Sequence, residues 1–215
     1  IILPGSKNTL ADLTYLKNSG LADEIKALAA KGTPVIGICG GNQMLGTAIY
    51  DPHHMEGDIE ESEGLGLVNS TTTMKDKKTT HQVTFDVDNL QFLNGQFSGS
   101  ELVGYEIHMG DTTPNDESVK RCFTITKRSE SAIEVVDGFI DGQHQVMGTY
   151  IHGVFDNDDF RRFIVNQLRL RKGLEEMPVV FHYFEHKNNA YNRLADIVEE
   201  HLDMDYIMSL LKDNG

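Results

Sequence analysis

Pro34-Val-Ile-Gly-Ile-Cys39-Gly-Gly-Asn-Gln43 is the stretch that predicts the fold, because it joins a buried strand to a helix through a glycine-rich turn. The run from Val35 to Ile38 is nearly all apolar, which is typical of a parallel strand covered on both faces. A helix is predicted over residues 40–50. Glycines on both sides of Cys39 permit a sharp turn, and this G-x-nucleophile-x-G pattern is typical of a nucleophile elbow.

The elements before this stretch also alternate between strand and helix. Residues 1–3 form a short apolar strand that Pro4 and Gly5 end, and apolar residues at helical spacing follow over residues 9–20 and 21–31. This β-α-α-β-α order predicts an α/β fold with a doubly wound, mostly parallel sheet flanked by helices.

The remainder of the chain has a different pattern. After a polar, acidic segment come five β-rich runs that Asn, Gly, Asp and Pro separate, as in an antiparallel meander. These runs cover residues 65–74, 80–87, 102–108, 119–125 and 132–136. A further strand is predicted over residues 145–152, then a helix from Asn157 to Gly173 and a helical C-terminus from Asn188. We therefore expect additional antiparallel strands and C-terminal helices.

The composition argues against some classes of partner. The 215 residues carry 19 Lys and Arg against 33 Asp and Glu, a formal net charge of −14. Nucleic acids and anionic membranes both favour basic surfaces, so we expect neither partner. No apolar run reaches the roughly 18–20 residues of a spanning helix, and two cysteines cannot form a disulfide framework, so we expect a cytoplasmic location. The chain starts without Met inside a predicted strand, so we expect a piece of a longer protein.

Cys39 is the candidate nucleophile. At an elbow its thiol stands above the sheet edge, the next helix N-terminus favours the thiolate, and the Gly40 N–H faces a developing oxyanion. His152 is the best candidate base among nine histidines, because it ends a predicted strand, where a doubly wound sheet collects active-site residues. The alternatives are a structural cysteine beside a glycine-rich turn and a histidine that only packs. Cys122 is expected to be a core residue.

Other polar clusters give weaker signals. His182 and His186 have the i, i+4 spacing of a metal site but lack a third ligand, so a solvated helix face is expected. His53 and His54 lie in the acidic segment, residues 51–63, where a solvated loop is favoured over cation binding or contact with another domain. We therefore predict no metal site.

Four motifs, in order between Leu3 and Gly153, resemble one family. Asp156-Asn157, Phe160-Arg161 and the tail from Leu194 to Met204 extend the likeness over almost the whole chain. Cys39-Gly-Gly-Asn-Gln43 resembles the C-x-G-x-Q elbow of class I, triad-type glutamine amidotransferases. A narrower similarity, to the cobyric acid synthase branch of that class, rests on Leu3-Pro-Gly-Ser-Lys-Asn-Thr9, Gly104-Tyr-Glu-Ile-His-Met-Gly110 and Gly148-Thr-Tyr-Ile-His-Gly153. The resemblance implies the class I amidotransferase fold, with residues 1–215 as one amidotransferase domain.

The resemblance also implies a reaction, the hydrolysis of glutamine. Cys39 would attack the side-chain amide and release ammonia from a thioester, and water would then release glutamate while His152 moves the protons. The implied site residues are Cys39 and His152 for catalysis, Gly40 and Gly5 for the oxyanion hole, and Gln43, Tyr105, Glu106 and His108 for holding glutamine.

One feature departs from the wider class, in which a His-x-Glu pair lets the glutamate orient the histidine. This sequence has His152-Gly-Val154, as in the cobyric acid synthase branch. Either a Cys–His dyad suffices, or Glu106 or Asp156 replaces that glutamate. Without an orienting group, we expect slow hydrolysis by the chain alone.

The resemblance finally implies a partner. In this family an ATP-dependent synthetase domain precedes the amidotransferase, handles the corrinoid acceptor and receives the ammonia. ATP and magnesium are therefore expected in that domain, and no cofactor is expected in this one. Three alternatives stay open: an amidotransferase for another acceptor, such as cobyrinic acid a,c-diamide or a cell-wall lipid, a Cys–His hydrolase or peptidase of the same fold, and a non-catalytic scaffold.

Overall fold

Ten strands form one sheet in the computed structural model, which describes residues 1–143 and 145–212. The chain divides into two units, Ile1–Met177, which contains the sheet, and one that begins at Pro178. The strands are β1 Ile2–Leu3, β2 Val35–Ile38, β3 Ala48–Tyr50, β4 Glu61–Glu63, β5 Ser70–Phe92, β6 Gly95–Pro114, β7 Lys120–Arg128, β8 Ser131–Ile140, β9 Val146–Thr149 and β10 Ile151–His152. The helices are α1 Thr9–Asn18, α2 Leu21–Ala30, α3 Gly40–Leu45 and α4 Asp158–Arg171 in the first unit, and α5 Tyr183–His201 and α6 Met204–Lys212 in the second.

The sheet combines parallel and antiparallel neighbours. Its strand order is β1-β2-β9-β8-β7-β5-β3-β4, and β6 pairs with both β5 and β10. Within the described residues, β1–β2, β2–β9 and β3–β5 are parallel and the other pairs are antiparallel. The predicted α/β class, additional antiparallel strands and C-terminal helices are confirmed. The sheet is mixed rather than mostly parallel, because its two longest strands, β5 and β6, are antiparallel partners.

The strand that leads to Cys39 is covered on both faces, as its apolar run predicts. Successive side chains of a strand point to opposite faces. Val35 belongs to one hydrophobic cluster, with Leu10, Leu13 and Leu45, while Ile36 belongs to the other. That second cluster contains the aromatic residues Phe85, Phe92, Phe123 and Phe160. Burial between two clusters gives the elbow a rigid base.

The predicted helix over residues 40–50 is wrong beyond Leu45. Gly46 has an extended backbone, with ψ of −176°, and Ala48–Tyr50 forms β3. A Cβ on Gly46 would lie 2.7 Å from the Ser70 carbonyl oxygen, and the Thr47 N–H donates to that same oxygen at 2.7 Å. This close approach to β5 ends the helix and starts the strand.

The single strand predicted over residues 145–152 is divided into two. The side chain of Asp137 accepts hydrogen bonds from the Thr149 hydroxyl and the Tyr150 N–H, and the Thr149 Oγ1 accepts from the Ile151 N–H at 3.0 Å. The chain turns there, so β9 pairs with β2 and β8 whereas β10 pairs with β6. The change of partner places His152 beside β6.

The antiparallel pairing predicted for this part of the chain is found, but the meander is wrong, because β7 pairs with β5 rather than with β6 and the first two runs both contribute to the single strand β5. Residues 75–79, which separate two of those runs, continue β5 through an irregularity opposite β6. A search for apolar runs divides such a strand in two, because the residues in its middle are exposed and polar. Of the helices in the described part of the chain, none is long and apolar enough to cross a membrane.

Candidate active site

Cys39 lies at the turn between β2 and α3, with a positive φ of 53° and a ψ of −111°. These angles are strained for a residue with a side chain, so the surrounding backbone must hold them. A Cβ on Gly41 would lie 2.0 Å from the Leu3 carbonyl oxygen, and a Cβ on Gly37 would lie 2.6 Å from the Gly41 carbonyl oxygen. Only glycine fits at both positions, and the predicted elbow geometry is confirmed.

The Cys39 thiol is buried and protonated in this arrangement. It is 5% exposed, and its Sγ donates to the Ile107 carbonyl oxygen at 3.4 Å. Burial raises the pKa of the thiol to about 11; the Gly40 N–H and the charge of Lys78 oppose that shift, and Glu56 adds to it. The Gly40 N–H at the helix N-terminus does favour the thiolate, as expected, but the loss of hydration outweighs this effect.

His152 lies on β10 opposite Tyr105 of β6. The two rings stack, with centroids 5.0 Å apart and 7° between their planes. Burial lowers the pKa of His152, and the nearby His108 lowers it further against the opposing effect of the Ile107 carbonyl. Among the described residues, its buried Nε2 has no hydrogen-bond partner. A neutral ring with an unpartnered nitrogen is suited to proton transfer.

The loop between β1 and α1 brings Cys39 and His152 to one place. A Cβ on Gly5 would lie 2.9 Å from the His152 Cε1 and 3.5 Å from the Cys39 Cβ, so this loop contacts both residues. The Gly40 N–H interacts with the Cys39 sulfur. The structure thus collects the four residues predicted for catalysis and the oxyanion hole, while their roles stay predictions.

Glu106, a candidate for orienting His152, is engaged elsewhere. It is 2% exposed, and the Arg128 Nε and Nη2 donate to its two oxygens at 2.7 and 3.0 Å. The His108 Nε2 lies 3.3 Å from the same carboxylate. Burial alone would raise the pKa of Glu106, but hydrogen bonds and charges from His108 and Arg128 lower it overall. Glu106 therefore ties β6 to β7.

Asp156, the other candidate, lies near the backbone that follows His152. A Cβ on Gly153 would lie 3.3 Å from the Asp156 Oδ2. No carboxylate in the described residues hydrogen-bonds to His152. The stacked Tyr105 ring and the Ile107 carbonyl are the contacts that orient the imidazole.

A cavity of about 460 Å³ opens at the two predicted catalytic residues. Three of the four residues predicted to hold glutamine line it: Gln43, Tyr105 and His108. Glu106 instead lines a neighbouring cavity. His108 stacks on Tyr150 with ring centroids 4.0 Å apart, and its Nδ1 lies 2.9 Å from the Gly110 carbonyl oxygen, so it forms a fixed wall.

Gln43 is more enclosed than its predicted role implies. It is 2% exposed, its Oε1 accepts from the Thr9 hydroxyl at 2.9 Å, and its Nε2 donates to the Tyr150 hydroxyl at 3.4 Å. Both ends of the amide are therefore already hydrogen-bonded. The side chain ties α1 and α3 to the strand segment that leads to His152.

Glu56 is a cavity residue that the sequence reasoning missed. The buried Asp51 carboxylate accepts from the Met55 and Glu56 N–H groups at 2.9 and 2.8 Å and folds the acidic segment inward. The Glu56 Oε2 then accepts from the Thr9 N–H at 2.5 Å, and the side chain lines the cavity. Burial raises the pKa of Glu56 despite this bond. The expectation of a plain solvated loop is therefore wrong at Glu56. The available sequence signal was Asp51, because an Asp side chain can accept hydrogen bonds from the backbone that follows it and fold a loop.

Residues 1–160 match the family model of the CobB/CobQ-like glutamine amidotransferase domain. The chain belongs to this family. It is 42% identical over 213 residues to a cobyric acid synthase of Dehalococcoides mccartyi and 41% identical over 211 residues to one of Moorella thermoacetica. These alignments cover 99% and 98% of this chain but 41% and 40% of the two relatives. A solved glutamine amidotransferase aligns at 16% identity over 76% of each chain, with a TM-score of 0.49.

Membership of the CobB/CobQ-like amidotransferase family confirms the resemblance inferred from the motifs and the predicted enzyme class. The matched residues include Cys39, His152 and the cavity between them. Because the chain spans about two fifths of the curated relatives, the activity of a whole cobyric acid synthase is a separate question.

Proposed function

We propose that this chain is the glutamine-hydrolysing part of a cobyric acid synthase. It supplies ammonia for the ATP-dependent amidation of corrinoid side-chain carboxylates in cobalamin biosynthesis. The observation that carries the proposal is a strained elbow cysteine, Cys39, with a neutral His152 beside it in a cavity of a CobB/CobQ-like amidotransferase domain. The identity of 40–42% to cobyric acid synthases supports this acceptor over the alternatives.

The first half-reaction transfers the acyl group of glutamine to sulfur. The Cys39 thiol leaves the Ile107 carbonyl and passes its proton to His152 as the sulfur attacks the side-chain amide carbon. The Gly40 and Gly5 N–H groups stabilise the oxyanion. The carbon–nitrogen bond then breaks, the nitrogen takes the proton from His152, and ammonia leaves a thioester on Cys39.

The second half-reaction restores the thiol. His152 takes a proton from water as the water oxygen attacks the thioester carbon. The carbon–sulfur bond breaks, the Cys39 sulfur takes the proton from His152, and glutamate leaves. Each half begins with a neutral imidazole, and the lowered pKa of His152 supplies that form at neutral pH.

Glu56 binds the α-ammonium group of glutamine in this proposal. Among the described residues that line the cavity, it carries the one carboxylate. Its Oε2 accepts from the Thr9 N–H at 2.5 Å, whereas its Oε1 has only a long contact of 3.5 Å with the Thr9 hydroxyl, which a ligand ammonium can replace. An ammonium beside a partly buried carboxylate offsets the cost of burying that charge.

The remaining partners follow from the same proposal. An ATP-dependent synthetase portion, fused or associated, binds ATP, magnesium and the corrinoid and receives the ammonia, and this domain itself uses no cofactor. The expected location is the cytoplasm, because Cys39 and Cys122 are free thiols and the chemistry needs a reduced sulfur.

Glutamate release from glutamine tests the proposal. The Cys39→Ala variant loses the activity, whereas Cys122→Ala keeps it, because Cys122 is buried in the second hydrophobic cluster. Together with the synthetase portion, ATP and a corrinoid acid, the wild-type chain yields corrinoid amide. Full activity in Cys39→Ala, or cleavage of peptides but not of glutamine by the wild type, contradicts the proposal.

A further inference from the structure

Strand β5 contains a basic segment whose residues have no paired partners on β6. Met74 pairs with Gly110 and Thr79 pairs with His108, so four residues of β5, numbers 75–78, face the single residue Met109. Three of the four are lysines, in a chain whose formal net charge is −14. Bulges of this kind recur beside active sites, because they change the direction of a side chain.

The bulge sends neighbouring lysines into two different cavities. Lys78 lines the Cys39 cavity, whereas Lys75 and Lys77 line the adjoining cavity that also contains Glu106. The Lys75 Nζ lies 3.3 Å from the Asp111 carboxylate. Within the described part of the chain, no carboxylate lies within 4.0 Å of the Lys78 ammonium.

The charge of Lys78 acts at the reacting sulfur. It lowers the pKa of Cys39, against the larger effect of burial. Lys7, on the loop before α1, also lines the cavity. Lys78 differs from Lys7 in that the bulge fixes its backbone opposite Met109, which lines the same cavity.

We propose that Lys78 binds the α-carboxylate of glutamine and so selects the free amino acid over ligands whose α-carboxyl group is neutral. This assignment rests on the proposed glutaminase function. The zwitterion lies between Glu56 and Lys78, and its side-chain amide reaches Cys39. The β5 bulge is the structural feature that brings a cation to this position.

Covalent labelling of the full chain tests the assignment. The reagents are 6-diazo-5-oxo-L-norleucine, which carries the α-amino and α-carboxyl groups of glutamine, and iodoacetamide, which carries neither. In Lys78→Met, we expect the second-order rate with the diazo reagent to fall roughly fivefold more than the iodoacetamide rate, as for the loss of a partly exposed ion pair. The iodoacetamide rate measures only what the lost charge does to the Cys39 thiol. Lys78→Arg restores most of the diazo rate, and the matched control Lys77→Met behaves like wild type.

A comparison of two substrates gives a second readout. Wild type prefers L-glutamine to L-glutaminamide, whose α-carboxyl group is an amide, and Lys78→Met reduces this preference through KM. An unchanged preference in Lys78→Met, or a loss in Lys7→Met instead, overturns the assignment. If wild type hydrolyses neither substrate and Cys39 takes no diazo label, the proposed function fails. If wild type is active and only the Lys78 effect is missing, the assignment alone fails.

Discussion

At the scale of single residues, the site combines a protonated thiol with a neutral imidazole. Burial raises the pKa of Cys39 to about 11 and lowers that of His152, so proton transfer between them is unfavourable before glutamine binds. The Ile107 carbonyl holds the thiol in this state. Proton loss alone would leave a buried negative charge on sulfur, and bond formation to the amide carbon removes that charge. We therefore expect bond formation and proton transfer to His152 to be coupled.

The pH dependence of glutaminase activity follows from His152. Its pKa lies below the ordinary value of 6.5, and the protonated ring cannot accept the thiol proton. We expect kcat/KM for glutamine to be constant near neutrality and to fall as the pH drops through that lowered pKa. Rates of glutamate release from pH 4.5 to 8 measure it, and activity that rises on acidification contradicts the assignment of His152 as base.

Tyr105 is predicted to act by positioning His152. Tyr105→Ala removes the stacked ring, and we expect kcat to fall about tenfold because the imidazole loses its orientation. Tyr105→Phe keeps the ring and should keep kcat within about twofold. The pH profile is the decisive readout, because exposure of His152 in Tyr105→Ala should move its lower inflection to higher pH. Equal losses of kcat in both variants would instead assign the effect to the Tyr105 hydroxyl.

Gly5 is predicted to be intolerant of a side chain. A methyl group there would overlap His152, so Gly5→Ala should lower kcat by roughly 100-fold through displacement of the base. Gly142→Ala is the control, because the added Cβ would lie 3.3 Å from its nearest neighbour, the Ser118 carbonyl oxygen, and Gly142 does not line the cavity. Steady-state kinetics on both variants measure the effect. A wild-type kcat in Gly5→Ala would contradict the prediction, because it would mean that the loop moves to accommodate the methyl group.

At the scale of elements, β6 organises the site. It pairs with β10 to place His152, supplies the Ile107 carbonyl and the stacking ring of Tyr105, and faces the β5 bulge. The buried Glu106 fixes this strand to Arg128 on β7. Stability and catalysis therefore depend on the same strand, and His108 links them because it contacts Glu106 and lines the cavity.

Replacement of Glu106 is predicted to destabilise the fold. Glu106→Gln leaves Arg128 without its anion, and we expect the free energy of unfolding to fall by about 2–4 kcal/mol. The folded-state pKa of Glu106 lies below its ordinary value of 4.5, so its contribution is present above pH 4.5 and is lost as the pH falls through the folded pKa. Urea denaturation at pH 7 and pH 3.5 measures both effects.

A matched control for that experiment is Glu130→Gln at the β7–β8 turn. The Lys127–Glu130 pair is solvent-exposed, so its loss should change the free energy of unfolding by less than about 0.5 kcal/mol. If Glu106→Gln is as stable as this control at pH 7, the buried pair does not hold β6 in place.

Sequence patterns predict the parts of this site that depend on local order. The elbow follows from glycines beside Cys39, and β2 from an unbroken apolar run. The division between β9 and β10 depends on the side chain of Asp137, which is distant in sequence from the turn that it stabilises. Lys78 reaches the cavity only because of the register between β5 and β6, which no local pattern encodes.

At the scale of the whole molecule, the chain spans about two fifths of the cobyric acid synthases that it matches. A glutaminase that releases ammonia is useful only when an acceptor is ready, and burial raises the pKa of the resting Cys39 thiol to about 11. We expect the synthetase portion with ATP and acceptor to raise glutamate release by the wild-type chain, because docking completes such sites. Titration of that portion against a fixed amount of this chain measures it, and no change in rate contradicts this view.

The central claim is that Cys39 is the nucleophile of a glutamine-specific site. Its most direct test is peptide mapping by mass spectrometry after incubation with 6-diazo-5-oxo-L-norleucine, with excess glutamine as competitor. We expect a single adduct on Cys39, protection by glutamine, and no adduct on the buried Cys122. Labelling at another residue, or a folded protein that hydrolyses glutamine while Cys39 stays unmodified, would contradict it.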